Sequence, residues 1–258
     1  MKNPWTFVTL TLAIMLNSCG GSGNKKSKDV SDWNISGAPG VYVLGSAPYT
    51  HPSSNDPVSL PTLWKDGTEQ HLTNLVASCS SLFASGNDVY IAGTIGSIAT
   101  LWKNGTHQTL EAGQPNSVFV SGNDVYLAGC VAENIAGDWE WNAVLWKNGV
   151  RQTLSSGGTN SANSVFVSGG DVYVAGTSGY SSRAVLWKNG IQQTLGSGDA
   201  NSSFVANSVF VSGNDVYVAG NDGDNYDNNK ATLWKNGTAQ RLTNGGGNSY
   251  ANSVIVVE

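Results

Sequence analysis

One eleven-residue stretch, NSVFVSGNDVY, limits what this chain can fold into more than any other. It stands at 207–217 and again, letter for letter, at 116–126. A near copy, NSVFVSGGDVY, fills 163–173, and a divergent one, SSLFASGNDVY, fills 80–90. Each copy runs into an apolar-Ala-Gly ending and then, after a variable gap, into Leu-Trp-Lys-Asn-Gly. The tryptophans of this second signature are Trp64, Trp102, Trp146, Trp187 and Trp234, spaced 38, 44, 41 and 47 residues apart. Such a period marks a repeat architecture, in which each unit can bury its apolar faces only against its neighbours.

Each repeat holds four short strand candidates, of the types Ser-Val-Phe-Val, Asp-Val-Tyr-Val-Ala-Gly, Ala-Val-Leu-Trp and Gln-Thr-Leu. They are rich in β-branched and aromatic residues, which suit a pleated surface. The first and third links, Ser-Gly-Asn and Lys-Asn-Gly, carry the residues that two-residue hairpin turns demand. No window repeats apolar residues at helical spacing without a glycine break, so no helix is expected. Four antiparallel strands every ~40–45 residues predict an all-β fold, a single β-propeller over 41–258.

The repeat also predicts how many blades there are. Complete sets begin near 79, 116, 163 and 207, whereas the segment at 41–45 starts on a second strand and lacks a first. The stretch ANSVIVV at 251–257 is a first strand with nothing after it. Pairing this C-terminal strand with the N-terminal blade would close a ring of five four-stranded blades and remove the open edges. The recurring tryptophans, and the tyrosines of the second strand, are expected between blades. Lys65, Lys103, Lys147, Lys188 and Lys235 are expected to face water. Asp88, Asp124, Asp171 and Asp215 are expected to hydrogen-bond the first turn. Taken together, the Leu-Trp-Lys-Asn-Gly turns and strand pairs resemble the repeats of secreted bacterial propeller proteins, including HAF-type extracellular repeats, across 41–257. That resemblance implies the fold and carries no catalytic residues with it.

The other end of the chain reads as an export signal. Lys2 precedes a short apolar run at 7–16, and Leu16-Asn17-Ser18-Cys19 resembles a bacterial lipobox. The resemblance implies a signal peptide at 1–18, cleavage before Cys19 and lipid on Cys19; an ordinary secretory signal is the alternative. Residues 19–40 then form a flexible linker, and the protein is expected to be lipid-anchored in the cell envelope, at the outer membrane or cell surface. Export would permit a disulfide between Cys79 and Cys130. A net charge of −5 leaves no basic patch for phosphates, which argues against a nucleic-acid partner.

Antiparallel connectivity places the two tight turns of every blade on one rim and the variable connections on the other, where binding is expected. The richest connection is 132–141. There Trp139 and Trp141 would project to one side in extended backbone, beside Asp138 and Glu140, an arrangement suited to a sugar ring. The alternative is that the two rings pack over the blade. Tyr49, Tyr180 and Tyr226 are further candidate ligand-binding residues. Asp222, Asp224 and Asp227 offer oxygen ligands for Ca²⁺, though without EF-hand spacing, and a solvated loop is the alternative. No cofactor is otherwise expected. His51, His71 and His107 are scattered, and no catalytic motif is present. The expected function is a monomeric, lipid-anchored binding module for a glycan or protein. A structural subunit of an envelope complex and a carbohydrate-active enzyme with an axial pocket are the alternatives.

Overall fold

The computed structural model describes residues 39–50, 57–73, 75–180, 183–196, 204–223 and 228–257. Cys19, Tyr226, Asp224, Asp227, His51 and the whole of 1–38 lie outside the described residues. Within them the chain is all-β, nineteen strands in five antiparallel sheets that follow one another in sequence. The first sheet has three strands, β1 (Tyr42–Thr50), β2 (Pro57–Lys65) and β3 (Thr68–His71). The second holds β4 (Ala77–Ser85), β5 (Asp88–Ile95), β6 (Ile98–Lys103) and β7 (Thr106–Ala112). The third holds β8 (Gln114–Ser121), β9 (Asp124–Ile135), β10 (Asp138–Lys147) and β11 (Val150–Ser155). The fourth runs through β12 (Ser161–Ser168), β13 (Asp171–Ser178), β14 (Arg183–Lys188) and β15 (Ile191–Gly196). The fifth is β16 (Val205–Ser212), β17 (Asp215–Gly223), β18 (Asn229–Lys235) and β19 (Thr238–Arg241).

Turn chemistry sets this pattern. Every Lys-Asn-Gly or Lys-Asp-Gly link has positive φ at both central residues, as at Asn104 (50°) and Gly105 (84°), which is the twist a two-residue hairpin needs. Apolar residues then fill the spaces between consecutive sheets. Trp102, Trp146, Trp187 and Trp234 are at most 1% exposed, and each packs against the sheet before its own. Tyr90, Tyr126 and Tyr173 are buried in the same layers, as expected. The first-strand side also stacks in register. Phe83, Phe119, Phe166 and Phe210 form a ladder of tilted rings with centroids 4.7–4.9 Å apart. Each serine hydroxyl accepts the backbone N–H of the next copy, Val118 N–H to Ser81 at 3.1 Å, Val165 N–H to Ser117 at 3.2 Å and Val209 N–H to Ser164 at 3.2 Å.

The glycine of the Ala-Gly ending has a steric reason. A Cβ on Gly93, Gly129, Gly176 or Gly220 would sit 2.0, 2.3, 2.0 or 1.9 Å from a carbonyl oxygen of the neighbouring first strand. No other side chain fits there, because the first strand bulges toward its partner at this point in all four sheets.

Lys103, Lys147, Lys188 and Lys235 are exposed, as expected, but the recurring aspartates form a different contact from the one expected. Asp88 does not cap its own turn. Its carboxylate accepts from Lys103 Nζ at 2.8 Å and from Asn104 Nδ2 at 2.6 Å, while Asn104 Oδ1 accepts the Val89 N–H. The same set recurs at Asp124–Lys147, Asp171–Lys188 and Asp215–Lys235, with each lysine 5.2–5.4 Å over the tyrosine of its own sheet. Two hairpins are thereby tied together at one rim, which a one-dimensional reading of turn residues misses. The first sheet has Gly40 where the others have aspartate, and its turn carries Asp66 instead of asparagine; Asp66 accepts the Val41 N–H at 2.8 Å.

The lysine hydrogen bond, then the asparagine one, holds each of these carboxyls below its ordinary value, while the aspartate hydrogen bond, then the tyrosine one, raises the lysines. A depressed folded value stabilises above the unfolded pKa and is lost as pH falls through the folded one. A raised lysine contributes below its unfolded value and loses that share as pH rises through the folded one. Stability is therefore expected to fall at both extremes. Urea melts from neutral pH to about pH 2 should show a flatter acid limb when all four aspartates are changed to asparagine, and parallel limbs would remove this lattice as a source of acid sensitivity.

Cys79 and Cys130 are free thiols; burial pushes Cys79 up to about 11. Among the described residues, 251–257 lie along the fifth sheet without being assigned to a strand, and β1 has β2 as its one strand neighbour.

Candidate functional site

The third sheet carries the most elaborate part of the variable rim. β9 and β10 run for twelve and ten residues, against eight and six for their counterparts in the fourth sheet. The stretch 132–141, expected as a loop, is therefore the far end of a hairpin in which Trp139 faces Asn134 and Trp141 faces Ala132. Ala136 and Gly137, with φ of 55° and 103°, close it. Ala-Gly is not a familiar hairpin dipeptide, so the sequence reads as irregular where the strands in fact continue.

Strand alternation puts Trp139 and Trp141 on one face, as expected, but their surroundings differ. Trp139 is 70% exposed near the tip. Trp141 is half-buried at the base, and its main chain is clamped to the connection that leads into β12. The Trp141 N–H donates to Gly158 O at 3.0 Å, and Asn160 Nδ2 donates to Trp141 O at 2.7 Å. Asn160, 2% exposed, also accepts from Ser155 Oγ at 2.8 Å and from Gly179 N–H at 2.9 Å. One buried amide thus ties the Trp141 main chain to two further segments. The result is a cavity of about 410 Å³ walled by Trp141, Gln114, Thr159, Asn163, Thr177 and Val205 among others. Its size lies within the ~300–1,000 Å³ range of small-ligand pockets.

Tyr180, 79% exposed on the β13–β14 turn, joins this surface. Its hydroxyl donates to Glu140 Oε1 at 3.1 Å. That bond, with the charges of Glu140 and Asp138, raises the phenol above its usual value, so the donor keeps its proton. The exposed Tyr180 phenol is therefore held beside the Glu140 and Asp138 carboxylates, the exposed Trp139 indole projects from the opposite face of the same strand end, and the cavity beside Trp141 is open and predominantly apolar. Such a surface can stack on an apolar ring face while accepting hydrogen bonds from hydroxyls. Cys130 also lines the cavity, but burial raises its thiol, which disfavours the nucleophilic thiolate.

The remaining candidates lie elsewhere. Tyr49 is in β1, edge-on to His71 at 5.5 Å, and His71 is buried against the Thr62 hydroxyl. Asp222 is 9% exposed and forks onto Arg241, whose Nε and Nη2 approach to 3.0 and 2.7 Å. Its carboxylate is thus neutralised by a guanidinium. Sequence reasoning missed Asn160, Gln114 and Thr177. The signal was faint: Asn160 falls three residues before the repeated Asn163, in a stretch that reads as generic polar linker. No protein-family model and no curated protein matches this chain.

Proposed function

We propose that the protein is a lipid-anchored module of the cell envelope that binds a glycan through the rim built by the β9–β10 hairpin and Tyr180. The observation that carries this reading is the exposure of Trp139 and Tyr180, both more than two-thirds exposed, at a rim where Tyr180 also bonds Glu140 and feels the charge of Asp138. Exposed aromatic rings cost solvation unless a ligand covers them, and a rigid sheet edge holds them ready at little entropic cost. The scaffold is proposed to be a five-bladed propeller whose ring is completed by 251–257. Four equivalent sheet-to-sheet layers and the continuing serine and phenylalanine ladders support it. Attachment through Cys19 follows from the lipobox letters.

The test uses the full chain in detergent micelles against a panel of immobilised envelope and host glycans. Trp139→Ala with Tyr180→Ala should weaken binding about tenfold or more, because each stacked ring contributes ~0.5–1.5 kcal/mol beyond its buried area. The melting temperature should not move, as both side chains are exposed. Equal binding by wild type and variant, or no glycan bound at all, would sink the reading. The intact mass of the same preparation should carry acyl chains on Cys19.

A further inference from the structure

A groove of about 650 Å³ runs beside β1, lined by Val41, Val43, Leu44, Gly45, Trp64 and Cys79 among others. In the other four sheets this side of the equivalent strand is covered by a first strand. Gly45 occupies the place of Gly93, Gly129, Gly176 and Gly220, yet a Cβ on it would meet only the Trp64 ring, at 3.1 Å. A glycine stands there without the backbone that requires one elsewhere. Trp64 is likewise half-buried where its four counterparts are sealed, and Val41 and Val43 are 68% and 37% exposed.

Residues 251–257 carry the matching half. On the fifth sheet they already make the contacts of a first strand with its predecessor. Val254 N–H donates to Ser208 Oγ at 3.3 Å, and Asn207 Nδ2 donates to Ala251 O at 3.0 Å. These continue the serine ladder and the amide contacts Asn116–Ala162 and Asn163–Ala206, both at 3.0 Å. Their outward apolar residues, Ile255 and Val257, are 42% and 86% exposed.

We infer that the β1 groove is a strand-acceptor site for 251–257 of the same chain, in the register that the repeat dictates. This rests on the ring closure proposed above and adds its geometry. In the third sheet Ser117, Val118 and Phe119 face Ala128, Leu127 and Tyr126, and Pro115 faces Gly129. Aligning the copies sets Ser253 on Leu44, Val254 on Val43, Ile255 on Tyr42 and Ala251 on Gly45, with Asn252 as the bulge. The two ladders then close into belts: Ser253 Oγ accepts the Leu82 N–H, and the Asn252 amide donates to Cys79 O. Ile255 fills the gap in the ring ladder between Phe210 and Phe83. The segment has no charged residue to desolvate within 251–257, and its attachment to the fifth sheet keeps it at high local concentration.

The experiment uses the full chain with Cys19, Cys79 and Cys130 changed to serine, and compares Val43→Cys/Val254→Cys with Val43→Cys/Val256→Cys, slipped by two residues on the same face. On mild oxidation at micromolar protein the first pair should form an intrachain disulfide in at least about tenfold excess over the second, since bridging needs Cα atoms roughly 4.4–6.8 Å apart. Preference for the slipped pair would overturn the register while leaving closure intact. Bonds only between chains would overturn closure and give the groove to a second copy. No bond in either, with the reduced variants melting like the parent, would overturn both. Should a variant fold poorly, quenching of the Trp64 emission difference between the parent and a 251–257 deletion gives a second readout: identical spectra would count against a seated strand.

Discussion

Replacing Trp187 by alanine is expected to lower the melting temperature by about 10 °C or more. The side chain is fully buried between the third and fourth sheets, where it packs with Ala143, Leu145, Val165 and Val174. Truncating a sealed tryptophan costs ~3–5 kcal/mol, part of it lost transfer energy and part an unfilled cavity. For a chain of this size each kcal/mol moves the midpoint by about 2–4 °C. The adjoining sheets cannot collapse into the space, because their spacing is fixed by the same residues repeated above and below. A phenylalanine should be tolerated better at Trp187 than at Trp146. The Trp187 indole N–H is buried without a hydrogen-bond partner, so its removal releases an unsatisfied donor. The Trp146 N–H donates to Glu111 Oε1 at 2.7 Å, within a cluster where Arg151 bridges Glu111 and Glu133. Losing that donor leaves a carboxylate oxygen less well satisfied. Thermal melts of the four variants decide it, and equal costs for both phenylalanines would show that indole hydrogen bonding has no part in the difference.

The strand pairs and their turns were legible because each is dictated locally. Asn-Gly needs its two positive φ values whatever surrounds it, and Val-Tyr-Val suits a pleat in any sheet. Tryptophan burial was legible for a related reason: a residue demanded by every repeat serves the contact that every repeat shares. The Asp88–Lys103–Asn104 set was not legible, since its members lie fifteen or so residues apart and meet only when two hairpins share one rim. At the candidate site the letters revealed the aromatic and acidic side chains and even the common face of Trp139 and Trp141. They did not reveal that strand pairing continues to Ile135 and Asp138, because Ala136-Gly137 lacks a recognised turn signal. Nor did they reveal Asn160, whose importance comes from being enclosed. An asparagine in a serine-rich linker looks like every other one until its amide is found holding Trp141, Ser155 and Gly179 together.

Gly220→Ala should be about as damaging as losing a tryptophan, and its comparison with Gly45→Ala separates an open array from a closed one. The added methyl at 220 would lie 1.9 Å from Val205 O and 3.1 Å from Ala206 Cα. Backbone cannot swing aside as a side chain does, so β16 must shift away from β17 and break ladder bonds on which Val209 and Val218 depend. Overpacking of this kind costs ~1–3 kcal/mol where neighbours yield and more where they cannot. At position 45 the only near atoms are those of the Trp64 ring. With the groove empty, alanine there displaces a half-buried ring slightly and stability barely changes. With 251–257 seated, the methyl meets the backbone of Ala251 and costs as much as at 220. The expected result is a large loss for both single variants. Deleting 251–257 should then erase the effect of Gly45→Ala while leaving that of Gly220→Ala, because the oxygen at Val205 remains. A loss at position 45 that survives the deletion would mean that the glycine answers to Trp64 and not to a strand.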